Sequence, residues 1–332
     1  MTAFVNRGTL WLSKIECGKE SVPLDSLPIH QSGGVFRRCK EYLTSRPKLR
    51  KTIKISLFLA PILLFAIAFT YYPFIRTIIN SFSVVNAKGV VTGWAGLENY
   101  AYVFGRSDFQ KAIVNTLTIT AINVPVTLLV TISLALIANK KRRLSPLYET
   151  MFTMPMAVSM SAACMIFKSM FSPTLGFINY FFGLELGWYE SRTTAIYAVI
   201  ILTVWMGIGF DFLLFLSALR GIPDHIVEAA RLDGAGFFRR LFKIQLPMIS
   251  PTILYVVCTN MVLAMMCSGP MIIITQGGPS RATTTLMYMM YASGYGSSNY
   301  SLAAVVSLVA FLMTFGFTIL AFVFERKKVH YQ

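Results

Sequence analysis

Few side chains in this chain of 332 residues are placed to do chemistry, and they fall into two groups. The first centres on Asp211, the only carboxylate inside any of the long apolar runs. An ionisable group at such depth marks a functional site by default, because an unpaired charge in lipid is costly. Asp211 lies eight residues before Leu219, about 12 Å in from the end of its run if that run is helical. Trp205, Gly207, Gly209 and Phe210 precede it, and the next apolar run brings Thr259 and Asn260. Aromatic faces with a few hydrogen-bonding groups suit a small ligand. Trp205, Gly207, Phe210, Asp211, Thr259 and Asn260 are therefore candidate residues of a substrate pathway, with glycines breaking the helix for close approach. The alternatives stay open: a helix–helix hydrogen bond for Asp211, and packing for Trp205.

The second group is the stretch from Arg220 to Pro247. Its pattern predicts two short helices. Pro223 suits a first helical turn, with Asp224 beside the positive helix end. Gly234 after Asp233 suits a chain reversal. A second helix through Phe237, Phe238, Leu241, Phe242 and Ile244 is expected to stop at Leu246-Pro247. One face is apolar and the rest charged, which fits a protein groove beside a membrane surface.

Other chemistries are missing from the sequence. There is no GxxxxGK[ST] phosphate loop. The three histidines (His30, His225, His330) are far apart, and no His/Cys/carboxylate cluster has metal-ligand spacing. The five cysteines (Cys17, Cys39, Cys164, Cys258, Cys267) form no CxxC pair, so neither a disulfide scaffold nor a zinc ribbon is expected. The expectation is a protein that is not an enzyme and that carries no cofactor and no metal.

The elements that must position these residues follow from composition. The chain is 55% hydrophobic and 13% charged, against about 45–50% and about 25% for soluble domains. A bilayer core of about 30 Å needs roughly 20 apolar residues per helix. Six segments qualify: 55–75, 117–138, 151–171, 195–219, 252–274 and 302–324. Pro61, Pro125 and Pro155 fall inside them. The net charge of +16 would suit a nucleic-acid partner, but its placement argues otherwise. Of the 30 Lys and Arg, 23 lie before the first segment, in 140–143, in 220–243 or in 326–328. The other seven are Arg76, Lys88, Arg106, Lys111, Lys168, Arg192 and Arg281. Positive charge is retained on the cytoplasmic side, so both termini are expected there. The fold expected is all-α: a polytopic membrane protein with six transmembrane helices. Residues 1–54 form a basic cytoplasmic arm near anionic headgroups, 55–328 the transmembrane domain with its cytoplasmic helices at 220–247, and 329–332 a tail.

Glu228-Ala229-Ala230, Gly234, Ile244 and Leu246-Pro247, at that spacing, resemble the EAA loop of permease subunits in binding-protein-dependent ABC importers. All seven fixed positions match. Other stretches resemble the carbohydrate-uptake branch, in particular its MalF-like member: Asn115-Thr116, Pro155, Gly176-Phe-Ile-Asn179 with Trp188, Trp205-Met-Gly-Ile-Gly-Phe210, and the outer loop Thr275 to Leu286. The resemblance covers roughly 55–328. One departure is the run Met261-Val-Leu-Ala-Met-Met-Cys-Ser268, where Asn, Phe and Asp are common in the family.

The resemblance implies a permease in the bacterial or archaeal cell membrane. It would be paired with a MalG-like permease, two cytoplasmic ABC ATPases that hold ATP and Mg, and an extracytoplasmic solute-binding protein. The loop would seat in an ATPase cleft, with Glu228 pairing with a basic residue there. The cargo would be a sugar or oligosaccharide moved by alternating access. Two alternatives are a non-sugar solute such as a glycerol phosphate in the same assembly, and a membrane receptor or scaffold without transport. The outer loop from Gln276 to Tyr300 would either order against the binding protein or cap the bundle.

Overall fold

The computed structural model describes residues 47–140, 142–174 and 176–328. Most of the basic arm and the tail 329–332 lie outside the described residues. Residues up to Pro73 form one compact unit and residues from Phe74 another. The first contains α1 (Pro47–Ala66) and a π-helical turn (Ile67–Tyr71), after which α2 (Tyr72–Ser81) leads out of it.

The second unit opens with a two-stranded antiparallel hairpin, β1 (Ser83–Val85) with β2 (Val91–Trp94). The all-α expectation is corrected by this hairpin. β-Branched Val84, Val85 and Val91 favour extended chain, and the Asn86 side chain accepts from the Lys88 and Val90 amides to make the turn. α3 (Glu98–Gly105) and the long α4 (Ser107–Asn139) follow, then α5 (Ser145–Thr153), a 3-10 turn (Met154–Ala157) and α6 (Met160–Met170). α7 (Phe177–Phe182) precedes α8 (Ala195–Arg220). The next stretch has α9 (Asp224–Leu232), α10 (Phe237–Arg240), a π turn (Leu241–Gln245), α11 (Leu246–Met248) and α12 (Ser250–Met265). π turns at Met271–Thr275 and Ala292–Gly296 flank α13 (Leu286–Tyr291), and α14 (Tyr300–Lys328) completes the described chain.

Among the described residues, four helices are long and apolar enough to cross a membrane: Ile55–Ser81, Ser107–Asn139, Ala195–Arg220 and Tyr300–Val323. The expected spans at 151–171 and 252–274 fall on two bent pairs, which bring the number of spans to six if each pair is one span. Ser145–Ala157 and Met160–Met170 meet at 104°, and Phe237–Met248 and Ser250–Met265 at 71°. The first bend has local causes. Pro155 removes an amide donor, Val158 is extended (φ −90°, ψ 130°), and Ser159 caps α6 by accepting from the Ala162 amide. The 252–274 run is interrupted after Met265, ahead of Gly269 and Pro270.

α4 and α8 form the centre. One stripe of α4 is small or polar and buried: Ala112, Thr116, Thr120, Asn123, Thr127, Thr131, Ala135 and Ala138. Small side chains let helix backbones approach closely without a hydrophobic drive between them. Thr116, Thr120 and Thr131 satisfy their hydroxyls on carbonyls four residues back, at 2.7–2.8 Å. Lower down, Phe212, Phe215, Leu216 and Leu219 of α8 pack with Ala135, Ala138, Ile249 and Val256. The ends of α4, α5 and α8 are tied together. Arg220 donates to both Glu149 carboxylate oxygens (2.6 and 3.3 Å) and to the Ala138 carbonyl (3.2 Å).

Gly207 and Gly209 do not break α8, which is continuous. A Cβ on Gly209 would lie 2.9 Å from the Met156 Cβ and amide nitrogen and 3.0 Å from the Thr153 carbonyl oxygen. The glycine is thus what lets the 3-10 turn lie on α8. Gly209→Ala is expected to cost about 1–3 kcal/mol, read as a lower melting temperature of the purified protein. An unchanged melt would show that the turn does not bear on α8 at this point.

Candidate functional site

The Arg220–Pro247 stretch folds as a helix, a tight reversal and a second helix. Pro223 (φ −59°, ψ 128°) precedes α9, and Asp224 lies in its first turn. Gly234 has φ +76°, a left-handed conformation that side chains resist. The Gly234 amide donates to the Arg231 carbonyl and the Ala235 amide to the Ala230 carbonyl, both at 3.0 Å. That pair of bonds is a Schellman termination. Leu246-Pro247 does not stop the second helix. A π turn opens one extra residue in the ladder ahead of Pro247, whose missing N–H makes the usual pairing impossible, and helix continues to Met248 before the bend at Ile249.

Each face of this loop has its own environment. Val227, Leu246 and Met248 pack with the Phe212–Leu219 cluster, and Ala230 is buried. Leu232, Phe237, Phe238 and Phe242 are exposed, Leu232 by 89% and Phe238 by 71%. Glu228 and Ala229 are also exposed, and Glu228 has no ion-pair partner among the described residues. Ile244 is half-buried. The loop therefore grips the end of α8 with one side and offers an apolar patch and a free carboxylate with the other.

The six pathway candidates do not converge on one point. Asp211 and Asn260 do meet: the Asn260 amide donates to Asp211 Oδ2 at 2.5 Å and to the Val256 carbonyl at 3.0 Å. Both are buried. Gly207 sits beside them, its Cβ position 3.7 Å from Asn260 Oδ1 and 3.2 Å from Thr127 Cγ2. Trp205 packs against Phe167, ring centroids 5.4 Å apart. Phe210 is half exposed. The Thr259 hydroxyl bonds to carbonyls of its own helix, Tyr255 and Val256.

Three residues that sequence reasoning missed extend the polar contact. Asn123 donates to the Thr203 hydroxyl at 2.6 Å and accepts from Thr127 at 3.4 Å. A polar seam thus runs between α4, α8 and α12, from Thr203 through Asn123 and Thr127 to Gly207, Asn260 and Asp211. The available signal was the four-residue spacing of Thr and Asn in an apolar run.

Motif residues toward the opposite end are straps. Asn115 donates to the Arg281 and Thr284 carbonyls (3.0 and 2.9 Å), and Thr116 accepts from the Leu286 amide at 3.0 Å. Thr283, Thr284 and Thr285 are buried. The stretch 281–286 is therefore packed on α4 as a cap. Trp188 donates to Asn179 at 2.7 Å and packs edge-on to Phe171.

If Asp211 serves as a helix–helix acceptor, Asp211→Asn, which retains an acceptor oxygen, should hold thermal stability to within about 1 kcal/mol. Asp211→Ala, which strands the Asn260 amide, should lose about 1–3 kcal/mol. Equal losses in melts of the two purified variants would contradict that role.

Comparison with known proteins completes the description. The family described as "Binding-protein-dependent transport system inner membrane component" matches residues 128–330. The sn-glycerol-3-phosphate transport system permease protein UgpA of Pectobacterium atrosepticum is 33% identical over 294 residues, 87% of this chain and 99% of that protein. UgpA of Salmonella typhimurium strain LT2 is also 33% identical over 294 residues, with the same coverage. A bacterial ABC transporter involved in import of the acidic polysaccharide alginate contains a chain of similar fold, with TM-score 0.75, 21% identity, and 84% of this chain and 99% of that chain covered. The methionine transporter MetNI is more distant, at TM-score 0.52 and 14% identity over 70% of this chain and 99% of that chain.

Proposed function

Since the chain belongs to the binding-protein-dependent transport system inner membrane component family, we propose that it is one of two six-span permeases in an ABC importer, with both termini in the cytoplasm. The two bent pairs serve as the third and fifth spans. The basic asymmetry, 23 of 30 Lys and Arg on one side, supports that orientation. A second, MalG-like permease completes the pathway. Two copies of a cytoplasmic ATPase hold ATP and Mg, and an extracytoplasmic binding protein delivers the solute.

The observation that carries this reading is the loop, with its exposed Glu228, Leu232, Phe237, Phe238 and Phe242 beside the reversal at Gly234. An apolar patch rimmed by charge is the form of a docking surface. When the ATPases close on ATP, the loop is displaced. Val227, Leu246 and Met248 pass that displacement to α8 and α12, and the bundle switches between inward- and outward-facing forms. Glu228, Ala229, Ala230, Gly234, Ile244, Leu246 and Pro247 make up the coupling element. Trp205, Gly207, Phe210, Asp211, Thr259 and Asn260 are proposed for the pathway, with the seam at Asp211 and Asn260 as its switch point. The cargo is a sugar or oligosaccharide. A second cargo, a glycerol phosphate, is favoured by relatives that carry that solute in their names.

Two experiments test this reading. Purification from the native membrane is expected to bring down an ATPase subunit and a second permease; a chain that comes alone would contradict the importer assignment. Glu228→Lys is expected to abolish solute uptake while membrane insertion is unchanged, since the residue lies beyond the spans. Normal uptake by that variant would remove Glu228 from the coupling role.

A further inference from the structure

At the amino ends of α4 and α8, about 39 Å along α8 from the coupling loop (26 residues at 1.5 Å each), lies an open cavity of about 590 Å³. Pockets of roughly 300–1,000 Å³ hold small ligands. Its wall contains Lys111 of α4, Arg192 before α8 and Arg281 of the outer loop, and no carboxylate. These are three of the seven basic residues that the charge asymmetry leaves on the outer side. Neither Lys111 nor Arg192 has an ion-pair partner among the described residues. Arg281 lies 3.6 Å from Asp108, but Asp108 is committed elsewhere: Arg106 binds both of its oxygens, at 2.9 and 2.6 Å. That bond holds the Arg106 guanidinium charged beyond its ordinary range. One carboxylate thus serves two guanidiniums, and a positive charge is left over at the cavity.

Further features of the wall favour an anion. Gln110 and Thr193 add neutral hydrogen-bonding side chains. Two helices of 33 and 26 residues begin there, and their amino ends carry partial positive charge. Arg281 is held in a left-handed backbone conformation, φ +64°, while its carbonyl is fixed by Asn115. The strap that sets the outer loop therefore also sets the backbone from which this side chain starts. A neutral sugar needs no such charge, whereas a phosphate monoester or carboxylate is matched by it.

We propose that this cavity is an anion-binding vestibule, in which Lys111, Arg192 and Arg281 receive the phosphate or carboxylate of an acidic solute before it enters the bundle. The proposal rests on the importer reading and narrows its cargo to an anionic one.

The test is direct binding to the full chain, with whatever subunits accompany it, in nanodiscs of phosphatidylcholine. Glycerol 3-phosphate is the probe and glycerol the neutral control, followed by ligand-observed NMR. Glycerol 3-phosphate should bind, should weaken as salt rises, and should not be displaced by glycerol. Replacing Lys111, Arg192 and Arg281 together by Gln should weaken binding about 10-fold or more. Arg192→Lys and Arg281→Lys, which keep the charge, should stay within about 3-fold, so a fold defect can be told from a lost site. Unchanged binding in the triple Gln variant, or equal competition by glycerol, would overturn the proposal. So would loss of binding by the unaltered chain in phosphatidylglycerol nanodiscs, which would assign the cavity to a lipid phosphate. The assay needs no ATP, so its failure leaves the importer reading standing. Failure of an ATPase to co-purify would strike that reading and not the anion site.

Discussion

A helix in lipid has no water to satisfy a stray polar group, so each such group must find its partner inside the protein. That constraint shapes the centre of this molecule. Thr116, Thr120 and Thr131 of α4 bond to carbonyls of their own helix. Asn123 meets Thr203, and Asn260 meets Asp211. Ion pairs lie toward the two ends, as the Arg220–Glu149 clamp and the Arg106–Asp108 pair. Once those bonds are made, α4, α8 and α12 pack closely enough that a Cβ at Gly207 would lie 3.2 Å from Thr127 Cγ2 and 3.7 Å from Asn260 Oδ1.

The consequence is that α8 runs unbroken from the cavity beside Arg192 to the loop after Arg220, with a different environment at each level. Its amino end borders the cluster of cations and its middle holds Asp211. Its carboxyl end is clamped by Arg220 and touched by Val227 and Leu246 of the loop. Two neighbours of α8 are bent: the α5–α6 pair turns through 104°, and the loop meets α12 at 71°. Continuous helices such as α4 and α8 are suited to carry displacement along their length, while the bends are where the bundle can yield.

Much of this was legible in the sequence, and the exceptions have physical reasons. Ala195–Arg220 and Ser107–Asn139 were readable because apolar length is a strong signal. The two-helix form of the loop followed from Pro223, Gly234 and the spacing of its phenylalanines. The break at Val158–Ser159 was not readable as a sharp turn, since Pro155 is tolerated within a straight span just as well. Pro247 misled for a related reason, because a π turn absorbed the proline that should have ended the helix. The hairpin at 83–94 is too short for a period-2 pattern to stand out. The meeting of Asp211 with Asn260, 49 residues apart, and of Asn115-Thr116 with 281–286 depends on tertiary approach. A single sequence gives the side chains but not which of them face each other. The small-residue stripe on α4 was visible in composition, yet its partner became evident only when α8 lay against it.

Whether α8 acts as one rigid body is the point on which this view rests most heavily. Spin labels at Thr193→Cys and His225→Cys, in a chain whose five native cysteines are replaced, bracket the helix in the assembled transporter. A rigid α8 predicts one narrow distance distribution, the same without nucleotide and with ATP held unhydrolysed. A shift between the two states of more than about 5 Å, one helical turn, would show that the helix or its junction with the loop yields, and would contradict transmission along α8.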